Sequence, residues 1–358
     1  MKSGSLYKKA RNHLNEEQPF VLYRAPNSQV LLSYFQNDNS LNRTTDYTHS
    51  GFVMAPFDTT EDAIIFPLSK SCKQQEQLTI DEDISPKVIS DPRSILGLAY
   101  DSHIALIKAG IDTIKQGVLD KVVLSREEEI PTNNQDWINV FENLLASYPT
   151  AFVYIWYHPQ VGLWLGATPE TLLSIKKDKL YTMALAATQA NIGATNVAWS
   201  IKEQDEQQIV TDYIKDTLQP WASALEISQP YTHRAGTLLH LRSDIIATID
   251  FSAVSLQEIV QKLHPTPAVC GLPKQSALKF IKKNEPYDRK FYTGFLGEHI
   301  ITTPTTLHTN FYVNLRCMQV QHKQVKIYVG GGITKDSNPK KEWEETVKKS
   351  QTIKKVLK

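Results

Sequence analysis

Short apolar runs bounded by turn-forming residues recur along most of this chain of 358 residues. Between residues 19 and 68 they include 20–23, 30–35 and 51–54, separated by proline, asparagine and serine. Runs of this length and setting are typical of β-strands. Further strands and hairpins are predicted for residues 151–156, 162–165, 172–175, 180–185, 310–320 and 325–329.

Segments with apolar residues at helical spacing alternate with these runs. Residues 94–117 form the longest of them, and this predicted helix leads into a strand that starts at Lys121. Residues 72–93 are polar and aperiodic, which predicts a linker. The alternation of sheet segments and helices indicates an α+β fold. Other helices are predicted for residues 136–146, 199–218, 256–262, 274–282 and 341–356.

The overall composition excludes several classes of protein. With 39 basic and 38 acidic residues the net charge is +1, which gives no indication of a nucleic-acid partner. Cys72, Cys270 and Cys317 are far apart and lack metal-ligand spacing, as expected of reduced thiols in the cytoplasm. No window is apolar over the length of a membrane span. We therefore expect a cytoplasmic protein without a membrane partner and, since there is no heptad seam, a monomer.

Lys121 is the first residue of the predicted apolar strand 121–126, where a charged side chain is unexpected unless it has a chemical role. Burial disfavours the charged ammonium, so a buried lysine tends towards the neutral amine and can act as a base, for example on water. The alternative is a lysine at the strand edge that carries its amine out to solvent.

Two helical segments carry pairs of carboxylates three residues apart. Glu203 and Glu206 share one helical face, and Glu342 and Glu345 share another, each continued by apolar residues. Carboxylates on partly buried faces repel one another unless a cation intervenes, and Mg²⁺ suits such a set. The alternative is a solvated charged face.

Other segments carry isolated functional candidates. Glu170 ends an apolar strand, where a raised pKa would make it a general acid, unless it is a turn residue in solvent. Arg316 lies among apolar residues of a predicted strand and requires an anion, either internal or from a ligand. The glycines at 330–332 are expected to follow a strand, where their amides could approach a carboxylate or simply form a turn. Two prolines make residues 263–269 rigid.

Taken in chain order, these segments resemble the chorismate-utilising enzymes, and most closely the isochorismate synthases. The resemblance runs from residue 94 to the C-terminus and implies one large layered α/β unit of two sheets packed around helices. In that arrangement residues 94–358 are the chorismate-binding catalytic region, and residues 1–93 are an N-terminal sheet-completing region with a polar linker. The motifs that carry the resemblance are KVVLSR (121–126), GATPE (166–170), ALAAT (184–188), KEQDE (202–206), HLRS (240–243), LHPTPAV (263–269), YTG (292–294), LR (315–316), GGGI (330–333) and EWEET (342–346).

The resemblance also implies a metal site and a substrate. Glu206 and Glu345 would be the main Mg²⁺ ligands, Glu203 and Glu342 would hold metal-bound waters, and the ion would bind the ring carboxylate of chorismate. A further set of residues would bind the substrate, the first five of them its carboxylates: Arg316, Tyr292, Lys349, the amides of Gly330 and Gly332, and the side chains of His240, Thr266 and Thr188.

The implied reaction is the conversion of chorismate to isochorismate, which feeds menaquinone or siderophore biosynthesis. Lys121 would activate water for attack at C2, and Glu170 would protonate the departing C4 hydroxyl. Members that use ammonia carry Gln where this chain has Lys121, which favours water. Ala186 stands where the aminodeoxychorismate synthases carry a nucleophilic lysine, which argues against a covalent intermediate. The alternatives are a salicylate synthase, which goes on to eliminate pyruvate, and a catalytically silent scaffold.

Four positions depart from the family pattern. Ala187, Cys270 and Lys290 each stand where a glycine is usual, and Gln207 stands where a histidine is usual. None of them removes a proposed catalytic group. Ala187 bears most directly on substrate placement, since its methyl group could shift the ring.

Overall fold

The computed structural model describes residues 4–78, 96–132, 135–190, 197–235, 238–303 and 306–357. Within these ranges the helices are α1 (Ser5–Asn15), α2 (Leu96–Lys115), α3 (Trp137–Ser147), α4 (Ile201–Leu218), α5 (Leu256–Leu263), α6 (Lys274–Asn284) and α7 (Pro339–Lys354). The strands are β1 (Phe20–Arg24), β2 (Val30–Gln36), β3 (Arg43–Thr44), β4 (Gly51–Ala55), β5 (Ala63–Pro67), β6 (Ser71–Gln77), β7 (Lys121–Pro131), β8 (Phe152–His158), β9 (Gly162–Thr168), β10 (Thr171–Lys176), β11 (Lys179–Ala190), β12 (Ala222–Ile227), β13 (Tyr231–Ala235), β14 (Leu238–Ile249), β15 (Gly271–Leu272), β16 (Phe295–Thr303), β17 (Thr306–Val313), β18 (Cys317–Gln321) and β19 (Gln324–Ile333).

The strands form two large sheets of antiparallel pairs. The first sheet has the order β15-β7-β19-β18-β9-β8-β1-β2-β6, and the second has the order β12-β14-β11-β10-β17-β16-β4-β5-β3, with β13 also paired to β14. Strands from the first 77 residues therefore complete both sheets: β1, β2 and β6 extend the first, and β3, β4 and β5 extend the second.

An aromatic cluster joins the facing sides of the two sheets. Trp156 and Trp164 of the first sheet pack in one buried cluster with Phe52 and Phe66 of the second, and the rings of Phe66 and Trp156 stack at 5.2 Å. The outer face of the first sheet packs against α1 and α3, and that of the second packs against α4 and α5. This layered arrangement confirms the predicted α+β class of two sheets and packed helices.

Two predicted segments differ in the structure. The predicted linker 72–93 begins inside β6, an edge strand that pairs with β2 and is largely exposed, so it needs no apolar alternation. The remainder of that stretch, from residue 79, lies outside the described residues. The single predicted strand 310–320 is wrong, because β17 belongs to the second sheet and β18 to the first. Arg316 lies at this crossing with φ of +48°, a left-handed conformation that interrupts extended chain.

Among the helices in the described ranges, none is both long and apolar enough to cross a lipid bilayer.

Candidate active site

A cavity of about 420 Å³ is lined by residues of both sheets and of helices α4 and α7. All of the predicted site residues except Lys121 and Thr266 lie on its wall. Those that line it are Glu170, Thr188, Glu203, Glu206, His240, Tyr292, Arg316, Gly330, Gly332, Glu342, Glu345 and Lys349.

Glu170 lies in the short connection between β9 and β10 and is 4% exposed, so the solvent-turn alternative is wrong. Its backbone is fixed, since its carbonyl accepts a hydrogen bond from Val313 N at 3.0 Å. Burial raises the pKa of the carboxyl to about 8, although the positive charges of Lys121 and Arg316 oppose the rise. The carboxyl is therefore mostly protonated at neutral pH and can act as a proton donor.

Lys121 is the first residue of β7, and its side chain is 0% exposed. The alternative of an amine that reaches solvent is therefore wrong. Its Nζ forms an ion pair with Glu206 Oε1 at 2.9 Å. Lys121 thus lies just behind the cavity wall that Glu206 forms.

Three of the four predicted metal-ligating carboxylates are paired with lysines. The pairs are Glu206 with Lys121 at 2.9 Å, Glu342 with Lys202 at 2.9 Å, and Glu345 with Lys349 at 2.7 Å. Burial tends to raise the pKa of Glu206, but Lys121 outweighs it with help from Lys349 and Lys202, and the pKa lies below its usual value. Glu206 therefore carries a negative charge at neutral pH.

Glu203 has a structural partner set of its own. It is the third residue of α4 and forms a capping box with Ser200, whose N–H donates to Glu203 Oε2 at 2.8 Å. Gln189 Nε2 also donates to both carboxylate oxygens, at 2.9 and 3.0 Å. This carboxylate therefore stabilises the start of the helix as well as lining the cavity.

The carboxylates fit Mg²⁺ when part of its coordination comes from water and substrate. No group of three or more His, Cys, Asp or Glu side chains in the described ranges converges on a common metal position. However, Mg²⁺ usually takes one or two carboxylates and keeps several waters. A Cβ at Gly331 would lie 3.8 Å from both Glu342 Oε2 and Glu345 Oε1, so these two acids face one point. Burial raises the pKa of Glu342, and the charge of Glu345 raises it further against the opposing charge of Lys202. A cation would relieve that repulsion.

The glycine run does not follow a strand as expected but forms the last part of β19. Gly330 pairs with Ser125 and Gly332 with Val123, whose N–H groups bond away from β19, to Glu285 and Cys270. In an antiparallel ladder such residues form non-hydrogen-bonded pairs, so the N–H and C=O groups of Gly330 and Gly332 point away from β7. Consistently, the carbonyl of Gly330 accepts a hydrogen bond from Lys349 at 3.0 Å.

Gly332 also lets charged side chains approach the strand. A Cβ at this position would lie 2.3 Å from Glu206 Oε1 and 3.0 Å from Lys121 Cε. Because the first of these distances is far shorter than a van der Waals contact, any larger residue would displace the ion pair.

His240 and Arg316 form a buried contact on the cavity wall. His240 Nδ1 lies 2.9 Å from the carbonyl of Ala187, which can only accept, so Nδ1 carries the hydrogen. Nε2 is then an acceptor for Arg316 Nη2 at 2.8 Å. Burial and the adjacent Arg316 lower the pKa of His240 well below its usual value, so the imidazole is neutral. Burial also lowers the pKa of Arg316, to about 10, which leaves the guanidinium charged at neutral pH.

Of the three other predicted substrate contacts, Thr188 and Tyr292 lie on the cavity wall and Thr266 does not. Thr188 Oγ1 lies 3.3 Å from His240 Nδ1. The Tyr292 hydroxyl lies 3.1 Å from the position that a Cβ at Gly330 would take. Thr266 is buried but does not line the cavity; Ala268 and Val269 of the same segment do.

Sequence reasoning missed Lys202, Lys341 and the helix cap Ser200, which also line the cavity. The place of Lys202 could have been predicted, because it precedes Glu206 by four residues and helical spacing brings such residues to one face. The pairing of Lys202 with Glu342 could not be predicted from the sequence, because it joins two helices that are far apart in the chain.

The departures from the family pattern have local explanations. Ala187 and Lys290, at positions where the resemblance implies glycine, have φ of +57° and +49°, the region where glycine is favoured. Gln207 is buried and donates to Thr211 Oγ1 and Ser243 Oγ, both at 2.9 Å. Cys270 is buried in the cluster beneath α6.

Comparisons with known proteins show the family of this chain. Residues 43–358 match the family model described as "Chorismate binding enzyme". The isochorismate synthase MenF of Escherichia coli (strain K12) is 30% identical over 263 residues, which cover 70% of this chain and 59% of that protein. The salicylate biosynthesis isochorismate synthase of Pseudomonas aeruginosa is 30% identical over 262 residues, which cover 71% of this chain and 54% of that protein.

The matched regions thus span less than two thirds of these curated relatives. The solved structure of the menaquinone-specific isochorismate synthase MenF from Escherichia coli has a TM-score of 0.79 at 20% identity, and the match covers 100% of this chain and 92% of that one. This likeness shows that the fold is shared. Because the family model covers most of the chain, the protein belongs to the chorismate-binding enzyme family.

Proposed function

We propose that this chain is an isochorismate synthase, which adds water to C2 of chorismate and removes the C4 hydroxyl. The observation that carries the proposal is Glu170, a buried carboxyl with a pKa of about 8 on the wall of a cavity that also presents Arg316 and Lys349. The names of the curated relatives point to the same activity. Such a cavity suits a small anionic substrate that must receive a proton.

Glu170 would supply the proton for the leaving group. Hydroxide is a poor leaving group, so the C4 hydroxyl must be protonated as it departs. A carboxyl with a pKa close to the working pH is suited to this task, and such a proton transfer contributes on the order of a hundredfold or more in rate.

Lys121 would accept the proton from the attacking water. Its amine lies 2.9 Å from Glu206 Oε1, so the base role requires that the two groups separate and that the amine face the cavity. Gly332 leaves room for this change, since Lys121 Cε approaches the strand where a side chain would otherwise stand. A lysine in this position, in place of glutamine, supports water as the nucleophile.

The carboxylates would hold Mg²⁺, with Glu206 and Glu345 as ligands and Glu203 and Glu342 bound to its waters. When bound, the ion would supply positive charge for the ring carboxylate of the substrate. Arg316, Lys349, Tyr292 and the outward amides of Gly330 and Gly332 would bind carboxylate oxygens. His240 and Thr188, which also line the cavity, would complete this set with polar contacts to the substrate.

The decisive test is incubation of the protein with chorismate and Mg²⁺, with ring products followed by NMR and pyruvate by a coupled assay. Isochorismate without pyruvate is the expected result. Salicylate with an equal amount of pyruvate would show a salicylate synthase, and unchanged chorismate would show a silent scaffold. Either result would replace the proposal.

Substitution of the two proposed proton-transfer groups tests the mechanism. Lys121→Gln and Glu170→Gln should each lower the rate by at least about a hundredfold, because each removes one proton-transfer group. Chorismate binding, measured by calorimetry, should persist. Exposed residues supply matched controls, Lys279→Gln and Glu226→Gln, which should retain the full rate. A Lys121→Gln enzyme with near-normal turnover would show that the lysine is not the base.

A further inference from the structure

We propose that Lys202 is an internal counter-cation that competes with Mg²⁺ for the glutamates of the cavity and thereby sets the metal affinity of the protein. The inference rests on the Mg²⁺ site proposed above. Removal of a residue that builds the metal site would weaken Mg²⁺ binding, whereas removal of Lys202 should strengthen it.

The contacts of Lys202 connect the two helices that carry the carboxylates. Its Nζ lies 2.9 Å from Glu342 Oε1 and 3.3 Å from Ser337 Oγ. Lys202 belongs to α4, one helical turn before Glu206, whereas Glu342 belongs to α7. The ammonium thus holds a carboxylate that we propose to lie beside the metal ion.

The lysine lies among the carboxylates of the cavity wall. It precedes Glu206 by four residues on α4, which places both side chains on one helical face, and its partner Glu342 faces one point together with Glu345. The ammonium therefore occupies a position among negative charges that a divalent ion would also favour.

Lys202 is the most readily displaced of the three paired lysines. Its side chain is 37% exposed, compared with 0% for Lys121 and 22% for Lys349. Lys349 is also held by the carbonyl of Gly330, and Lys121 is enclosed beneath β19. Lys202 can therefore move into solvent when a cation binds, whereas Glu342 is 6% exposed and stays in place.

Calorimetric titration with MgCl₂ tests the competition without any measurement of turnover. Lys202→Gln should lower the Kd for Mg²⁺ by about fivefold, the value of one half-exposed ion pair. Lys202→Arg keeps the charge and should stay within about twofold of the wild type. Lys340→Gln, an exposed lysine of α7, removes the same net charge and should also stay within about twofold.

A double-mutant cycle identifies the carboxylate concerned. In a Glu342→Gln background the lysine has lost its partner, so the further change Lys202→Gln should alter the Kd by less than about twofold. Melting curves give a second readout, because the Mg²⁺-dependent rise in Tm should be larger in Lys202→Gln than in the wild type. Should the glutamine variant fail to fold, Lys202→Met retains the aliphatic stem and allows the same comparison.

The outcomes separate this inference from the proposed function. If the wild type binds Mg²⁺ and Lys202→Gln binds it equally or less tightly, the counter-cation role is wrong while the metal site stands. If neither protein binds Mg²⁺, both the metal site and the competition are wrong. Tighter binding in Lys202→Gln alone, with both charge controls unchanged, supports the inference.

Discussion

Burial determines the protonation of Glu170, and with it the pH range in which the proposed acid can work. The apolar strand before Glu170 predicted a raised pKa, and in the structure burial raises the pKa of this carboxyl to about 8. The three opposing cations, Lys121, Arg316 and Lys349, could not be predicted, because they come from β7, the crossing between the sheets, and α7.

The activity should therefore fall at alkaline pH. Below the pKa of about 8 Glu170 is protonated and can donate; above it the carboxyl is ionised and cannot. We expect kcat/KM for chorismate to decline by about tenfold per pH unit above that value. The measurement is kcat/KM over a pH series, with samples quenched at fixed times and their ring products quantified by NMR. A rate that stays level well into the alkaline range would contradict the assignment of Glu170 as the acid, whereas the control Glu226→Gln should follow the wild-type profile.

Ala187 and Lys290 show how much a family pattern can reveal about the backbone. The resemblance to the family implies glycine at both positions, and both have positive φ in this protein. A side chain in the left-handed region costs about 1 kcal/mol relative to glycine.

Ala187→Gly and Lys290→Gly should therefore each raise the free energy of unfolding by about 1 kcal/mol, measured by urea denaturation. Ala224→Gly serves as a control in an exposed part of β12, where glycine should lower stability by about 0.5–1 kcal/mol. Equal losses in all three variants would show that the positive φ values carry no strain.

At Arg316 the local sequence pattern predicted the wrong secondary structure. Its apolar neighbours indicated a continuous strand, but the chain leaves one sheet and enters the other at this point. The residues on both sides are apolar because each strand is buried in its own sheet, so composition does not reveal the break.

At the level of elements, a buried ion pair fixes β7 against the segment after α6. Glu285 accepts from Arg289 Nη2 at 2.6 Å and from the backbone N–H and hydroxyl of Ser125 in β7, at 2.7 and 2.8 Å. The side chains of Glu285 and Arg289 are 1% and 2% exposed. This connection holds the strand that begins at Lys121.

Glu285→Gln should lower the free energy of unfolding by about 3–5 kcal/mol, because it leaves the buried charge of Arg289 without its counter-ion. Glu127→Gln is the matched control, since it breaks a half-exposed pair with Lys326 and should cost less than about 1 kcal/mol. Chemical denaturation of both variants measures the difference, and a Glu285 variant as stable as its control would refute the anchoring role.

Helices were more predictable than the contacts between them. The five helices with marked apolar spacing after residue 130 lie where the pattern predicts, and the acid pairs of α4 and α7 share one cavity. The capping box that engages Glu203 follows from Ser200 three residues earlier, a local signal that was overlooked. The pairing of Glu206 and Glu342 with lysines from other elements depends on packing and could not be predicted.

At the scale of the whole molecule, the N-terminal strands are part of both sheets. β1 pairs with β8, and β4 pairs with β16, so the first 77 residues cover an edge of the part of each sheet that the rest of the chain forms. The order of strands was not predictable, because these pairs join residues more than a hundred positions apart. Any apolar run in the chain could have formed the neighbouring strand.

A fragment of residues 94–358 should therefore fail to fold alone, since it would expose β8, β16 and the aromatic cluster between the sheets. We expect insoluble material, or a species without a cooperative melting transition in near-ultraviolet circular dichroism. Co-expression with residues 1–93 is the control and should restore a soluble complex. A stable monomeric fragment would show that residues 94–358 form an independent domain.

The outward edge of β19 has a further consequence for the molecule. Beyond Ile327, the last β19 residue that pairs with β18, the strand presents the N–H and C=O groups of Gly330 and Gly332 to the cavity. An unpaired strand edge at a protein surface invites other chains to add to the sheet and aggregate. Here the edge lines a cavity of about 420 Å³ formed by both sheets and helices α4 and α7. A strand of another chain would have to enter this cavity to pair with the edge, whereas a small anion can reach the same backbone groups.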